Sequence, residues 1–144
     1  MDIVKEMRGA YYRALFGQLK TDGVNVPIFH YQVPKGQNPD VYCIISVSSN
    51  TSSDTMASIG ANYVVQFSIV AKSLTNPNNV IEPLADAFWD IVQPNKWTCG
   101  INPNGMQIVY TQKQIDDTRP SYESSTGQIV QERVIQVLHN IFQK

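Results

Sequence analysis

Charge is scarce in this chain. Only 16% of its 144 residues are Asp, Glu, Lys or Arg, and 11 basic side chains nearly balance 12 acidic ones. No dense Lys/Arg block occurs. A protein that grips duplex nucleic acid neutralises several phosphates with clustered cations, so that class is disfavoured. Such neutrality still lets nucleic acid pass without sticking. Cysteine and histidine are equally sparse, with Cys43, Cys99, His30 and His139 the full set. Zinc favours these residues at close spacing, and none is paired locally here. The two cysteines lie far apart and are expected to be free thiols. Long apolar runs are missing too. Lys5, Glu6, Arg8 and Arg13 break the opening "MDIVKEMRGAYYRALFGQLK", which therefore does not read as a signal peptide. No stretch approaches a membrane span, and a cytosol-like compartment is expected. There is no phosphate-cradling glycine loop and no nucleophile-elbow serine.

What is present is an ordinary globular balance, 42% hydrophobic and 10% aromatic. The length favours a single domain over residues 1–144 with one core. Ser, Thr, Asn and Gln fill much of the remaining surface. So polar and weakly charged a surface suits a protein that buries part of itself against partners.

Periodicity outlines the elements. Val4, Met7, Tyr11, Ala14, Leu15 and Leu19 recur at helical spacing, which predicts a helix over 2–21, capped by Asp2 and stopped by Gly23. "VPIFHYQV" reads as a strand that starts at Pro27 or lies at an edge, because Pro27 lacks a donor. "VYCIISV" reads as a central strand. In "NYVVQFSIVAKS", Tyr63, Val65, Phe67, Ile69 and Ala71 alternate with Val64, Gln66, Ser68 and Val70 and mark one better-buried face. A second helix is expected over 79–92 on the stripe Ile81, Leu84, Ala85, Phe88 and Ile91, with Pro83 tolerable only in the first turn. "MQIVYTQKQIDDT" reads as a strand. "QIVQERVIQVLHNIFQK" fits a helix or a strand, and its density of β-branched residues favours a strand. The resulting order is α-β-β-β-α-β-β. That predicts an α+β fold, a mainly antiparallel sheet with two helices packed on one face.

The chemistry-bearing side chains do not converge in the sequence. His30 and His139 read as sheet-surface or edge residues, and Cys43 as a small core residue. Cys99 follows Trp97 in a turn. Trp89 lies beside the buried stripe of the second helix, which makes core packing its default. Asp116 and Asp117 point to opposite faces of a strand and cannot easily share a metal or proton. With Lys113 and Arg119 they form either a solvated strand end or a charged contact patch. Two long polar stretches, Ser49–Ile59 with Ser52, Ser53 and Asp54, and Thr118–Gly127 with Tyr122, read as exposed loops and candidate docking segments.

The order of "LFGQLKTDG", "VPIFHYQVP", "NPDVYCIISV", "YVVQFSIVAKS" and "IEPLADAFWDIV", closed by "RVIQVLHNIF", resembles the tail terminator, or tail-completion, family of long-tailed bacteriophages. The resemblance covers most of the chain and lies in pattern and order. It implies a structural virion protein of the tail-neck region, made and assembled in the host cytoplasm. It implies no enzyme activity, no cofactor and no metal. Its partners would be copies of itself in a ring, a hexamer in that family, together with the tail tube protein and a head-completion or neck protein. The ring would cap the tube, end its polymerisation and pass DNA through its bore without specific binding or membrane contact. Two other readings remain open from the residues. One is another neck or tail connector, such as a head-closure or tube protein. The other is a small cytosolic α+β ligand-binding or regulatory module.

Overall fold

The computed structural model describes residues 3–50, 60–73, 76–95 and 98–143. Helix α1 (Ile3–Leu15) buries Met7, Ala10, Tyr11 and Leu15 on one stripe. It ends earlier than the sequence periodicity suggests. Gly17 takes φ +82°, and the Phe16 and Gln18 amides donate back to Tyr12 and Leu15 at 2.8 and 3.0 Å. The rest of the expected helix is a small hairpin, β1 (Lys20–Thr21) against β2 (Val24–Asn25). Its two corner residues, Asp22 and Gly23, both have positive φ, as a two-residue Asp-Gly hairpin turn requires. Asp2 lies outside the described residues.

The main sheet is six-stranded. Strand β3 (Ile28–His30) lies at one edge and runs parallel to β4 (Val41–Asn50). It stops because Tyr31 turns into the left-handed region at φ +70°. Strand β5 (Gly60–Ser73) pairs antiparallel with β4 and with β8 (Ile129–Gln143). The long strand β6 (Met106–Thr118) pairs antiparallel with β8 and forms the other edge. The α+β architecture therefore holds, and the ambiguous last segment is a strand. The stretch expected as a loop after Thr118 is instead the tip of a β6–β8 hairpin. There β7 (Tyr122–Glu123) pairs with β8, and Ser124 closes the turn by hydrogen bonds to Gln128 and Gly127.

Helix α2 (Asn78–Val92) and α1 lie on one face of the sheet. Ile81, Leu84, Ala85, Phe88 and Val92 of α2 are buried there, against the odd-numbered side chains of β5. Phe88 stacks on Phe67 at 4.6 Å and lies 6.4 Å from Tyr11, so one ring joins both helices to the sheet. Pro83 falls in the second turn and not the first, which removes one helical donor. The chain leaves α2 closely. The Gly100 amide donates to Val92 at 2.9 Å, and a Cβ at Gly100 would sit 1.8 Å from the Ile91 carbonyl oxygen.

No helix covers the other face among the described residues. Even so, Val70, Val130, Val134 and Leu138 on that face are only 2–6% exposed. Bulges at Val109 and Gln114 of β6 add local twist. Cross-strand amide pairs span the middle of this open face. Gln136 donates to Gln66 at 2.9 Å, and Asn140 donates to Asn62 at 2.8 Å. Its charged side chains, Lys72, Glu132 and Asp117, lie toward the β7 end by register.

Because Phe88 is fully buried and stacked, Phe88→Ala should lose roughly 3–5 kcal/mol of stability in urea titration. A loss under about 1 kcal/mol would mean that this ring does not join the layers.

Candidate interaction site

Strand β6 presents its outer edge along 13 residues. Val109, Tyr110 and Ile115 are 37–52% exposed on it, and Tyr122 continues the row at 64%. An edge of this length is a ready template for another strand. Beside it, Ile115, Asp117, Thr118, Arg119 and Pro120 line a shallow cleft.

The four charged residues of this region do not act alike. Asp116 points toward the helices and accepts two bonds from Arg133, at 2.6 and 2.9 Å, and one from Trp89 at 2.9 Å. Lys113 sits 3.6 Å from the same carboxylate and over the Trp89 ring. Burial works to raise the Asp116 carboxyl pKa, but the Arg133 and Trp89 hydrogen bonds and the nearby cations hold it below the ordinary range. Asp116 is thus engaged inside the molecule, whereas Asp117 and Arg119 are exposed. Ser52, Ser53, Asp54 and Trp97 lie outside the described residues.

His139 departs from the sequence expectation. It is fully buried and not on the sheet surface. Its Nε2 pairs with the Tyr11 hydroxyl of α1, and its Nδ1 with the Thr111 hydroxyl of β6 at 2.8 Å. Burial depresses its pKa to about 4, so the ring is neutral at pH 7. With both ring nitrogens engaged, neither is left to serve as a base for Cys99, which lines a neighbouring cleft of about 190 Å³ with Thr111 and Tyr110. Cys43 is buried in the core, and burial pushes its thiol well up, away from the thiolate a nucleophile needs. Cys43 stands opposite Ile28 and His30 opposite Ile45, so these two side chains sit at different levels of neighbouring strands. No three metal-ligating side chains gather among the described residues.

An aromatic ladder was not singled out in the sequence. Arg8, Tyr12 and Phe16 stand four apart on and just beyond α1, a spacing that shares one helix face. Tyr12 stacks on Phe16 at 5.0 Å and meets His30 of β3 at 5.6 Å. Arg8 donates to the Tyr31 hydroxyl at 2.8 Å and lies 5.0 Å over its ring. The ladder follows the β3 edge, opposite β6.

No helix among the described residues is long and apolar enough to cross a membrane. No protein-family model matches the chain, and no curated protein matches it.

Two outcomes follow from this arrangement. Because His139 titrates near 6.5 when unfolded and near 4 when folded, its contribution is complete above pH 6.5. It is lost as pH falls toward 4, by about 3 kcal/mol in total. Urea midpoints taken between pH 7 and 4 should therefore fall less steeply in His139→Gln than in the wild type. Asp116→Asn should cost about 2 kcal/mol by stranding Arg133, whereas Asp117→Asn should stay within about 0.5 kcal/mol. Equal losses at the two sites in thermal melts would contradict this division.

Proposed function

We propose that this chain is a structural subunit of a long-tailed phage virion. Copies assemble into a ring at the end of the tail tube, stop its polymerisation and form the surface that joins the head. The observation that carries this reading is the open β6 edge with its exposed apolar row. Strand addition or side-chain docking at such an edge joins subunits through groups that a lone chain leaves unused. The open face supports the same reading. Its middle is neutral, and its amides are already bonded to one another. Facing the bore, it would offer DNA no row of cations to bind. Partners would be copies of the chain, the tube protein and a head-completion protein, and the working location would be the tail-neck region of the virion. The order of the sequence segments, which resembles the terminator layout, adds to this.

Purified protein should give closed rings in negative-stain images and a fixed multiple of 16.2 kDa by light scattering. Added to growing tail tubes, it should cap them and shorten their length distribution. Open filaments would favour a tube subunit. A single-chain species that leaves tube length unchanged would reject the proposal.

A further inference from the structure

The two helices carry opposite charge on their outer sides. The ionised side chains of α1 are Lys5, Glu6, Arg8 and Arg13. Glu6 and Arg13 bind each other at 2.9 Å on one side of it. Lys5, Arg8, Tyr12 and Phe16 follow at three- and four-residue spacing along the other side. That side faces β3, because Tyr12 meets His30 and Arg8 holds Tyr31. In α2 the ionised side chains are Glu82, Asp86 and Asp90, with no cation among them. Glu82 and Asp86 share a side with Trp89, again at four- and three-residue spacing. That side faces β6, because Trp89 donates to Asp116. Asp116 first, and then Asp86 and Glu82, raise the pKa of Arg133 on β8, which places both acids within reach of the β8–β6 side. The basic aromatic flank and the acidic flank thus lie on the same face of the sheet, at its opposite edges.

We propose that these flanks are the two halves of a contact between copies of this chain. The Lys5, Arg8, Tyr12 and Phe16 flank of one copy seats against the Glu82, Asp86 and Trp89 flank of the next. The inference rests on the self-assembly proposed above and adds where the copies touch.

Three observations select a second copy as the occupant. First, the charges are complementary. On the β6 side of α2, the carboxylates of Glu82, Asp86, Asp90 and Asp116 outnumber the cations of Lys113 and Arg133, and both cations are held by Asp116. The outer side of α1 carries two cations and no acid of its own. Like charges four apart on α2 repel one another in a lone chain, and a neighbour's cations relieve that repulsion. Second, the heights match. His30, Ile45, Phe67, Ile135 and Asp116 form one row across the sheet. The Tyr12–His30 contact and the Trp89–Asp116 bond therefore stand level with each other. Third, the strand directions suit it. β3 and β4 run one way and β6 the other. A rotation about an axis along the strands places β6 of one copy antiparallel to the β3–β4 edge of its neighbour. All helices then stay on one side, and the two flanks meet. A two-fold pairing of like edges would instead set acid on acid or cation on cation.

The basic flank is also ordered before contact. Tyr12 stacks on Phe16 at 5.0 Å, and Arg8 lies 5.0 Å over the Tyr31 ring. Side chains fixed in advance lose less freedom on docking. Tyr, Trp and Arg, the residue types that dominate interface energies, all occur on the two flanks.

The test uses charge reversal in the full chain, read by light scattering in low-salt buffer. One variant carries Lys5→Glu with Arg8→Glu, the other Glu82→Lys with Asp86→Lys. Circular dichroism checks that each remains folded, and Arg8→Glu or Asp86→Lys alone replaces a pair that does not. Each variant should run as a single chain of 16.2 kDa, because like charges then face each other. A chain carrying both sets should regain the wild-type mass, because both flanks have exchanged sign. Loss of assembly through misfolding alone would not be repaired in this way. If either variant retains the wild-type mass, or the combined variant fails to recover it, this pairing is wrong while ring assembly stands. If the wild type itself is single-chain at every concentration, the self-assembly reading fails first and this pairing falls with it.

Discussion

Strand β8 is the constraint on which the rest of the molecule depends. It hydrogen-bonds along both of its sides, to β5 on one and to β6 and β7 on the other. Its alternate side chains serve two different surfaces. Ile135, Val137, His139 and Ile141 form the floor beneath the helices, and Val134, Gln136, Leu138 and Asn140 line the open face. Long-range ties also converge on it. His139 reaches α1 through Tyr11, Arg133 holds Asp116 of β6, and Gln136 holds Gln66 of β5. A strand with both faces in use carries no free position at which polarity could vary without consequence.

The two faces are built on different physics. Beneath the helices, burial is nearly complete, and each buried polar side chain among the described residues has a partner. A neutral imidazole held between two hydroxyls, and a carboxylate held by a guanidinium and an indole, add directionality to an otherwise apolar layer. On the open side the polar groups are uncharged amides bonded across strands. One partly buried ion pair, Asp116 with Arg133, orders the helix side, while the middle of the open face stays neutral.

Much of this was legible in the residues. Alternation at Tyr63–Ala71 gave the buried face of β5, and β-branched density identified β8 against a helical alternative. Other elements were hidden for physical reasons. The first helix ends before Gly17 because a left-handed turn there outweighs an apolar period that Leu19 continues in the sequence, and the Asp-Gly pair that signals the hairpin lay in plain view. "RPSYESSTG" looked like a loop because polar content marks exposure, and an exposed hairpin tip is polar as well. His139 was misplaced because one histidine in a strand gives no sign of which face it occupies. Its fate was decided by the register with β6 and the approach of Tyr11, both remote in sequence. The charged patch was legible only as a group, since bulges decided which of its members turned inward. The ladder could have been found from the spacing of Arg8, Tyr12 and Phe16, but its other half comes from β3.

Those bulges have a consequence of their own. A strand is a binary code of faces, and each extra residue slips its phase by one. In β6 the slips at Val109 and Gln114 cancel, so Gln107 and Asp117 end on the same side although the residues between them are out of step. Deleting one bulge residue would leave every other β6 residue opposite its present partner and on its present face, whereas inserting a residue elsewhere, with no bulge to absorb it, would exchange the faces of all that follows. The two bulge positions are thus where β6 can lose a residue and keep its code, at the expense of local twist alone.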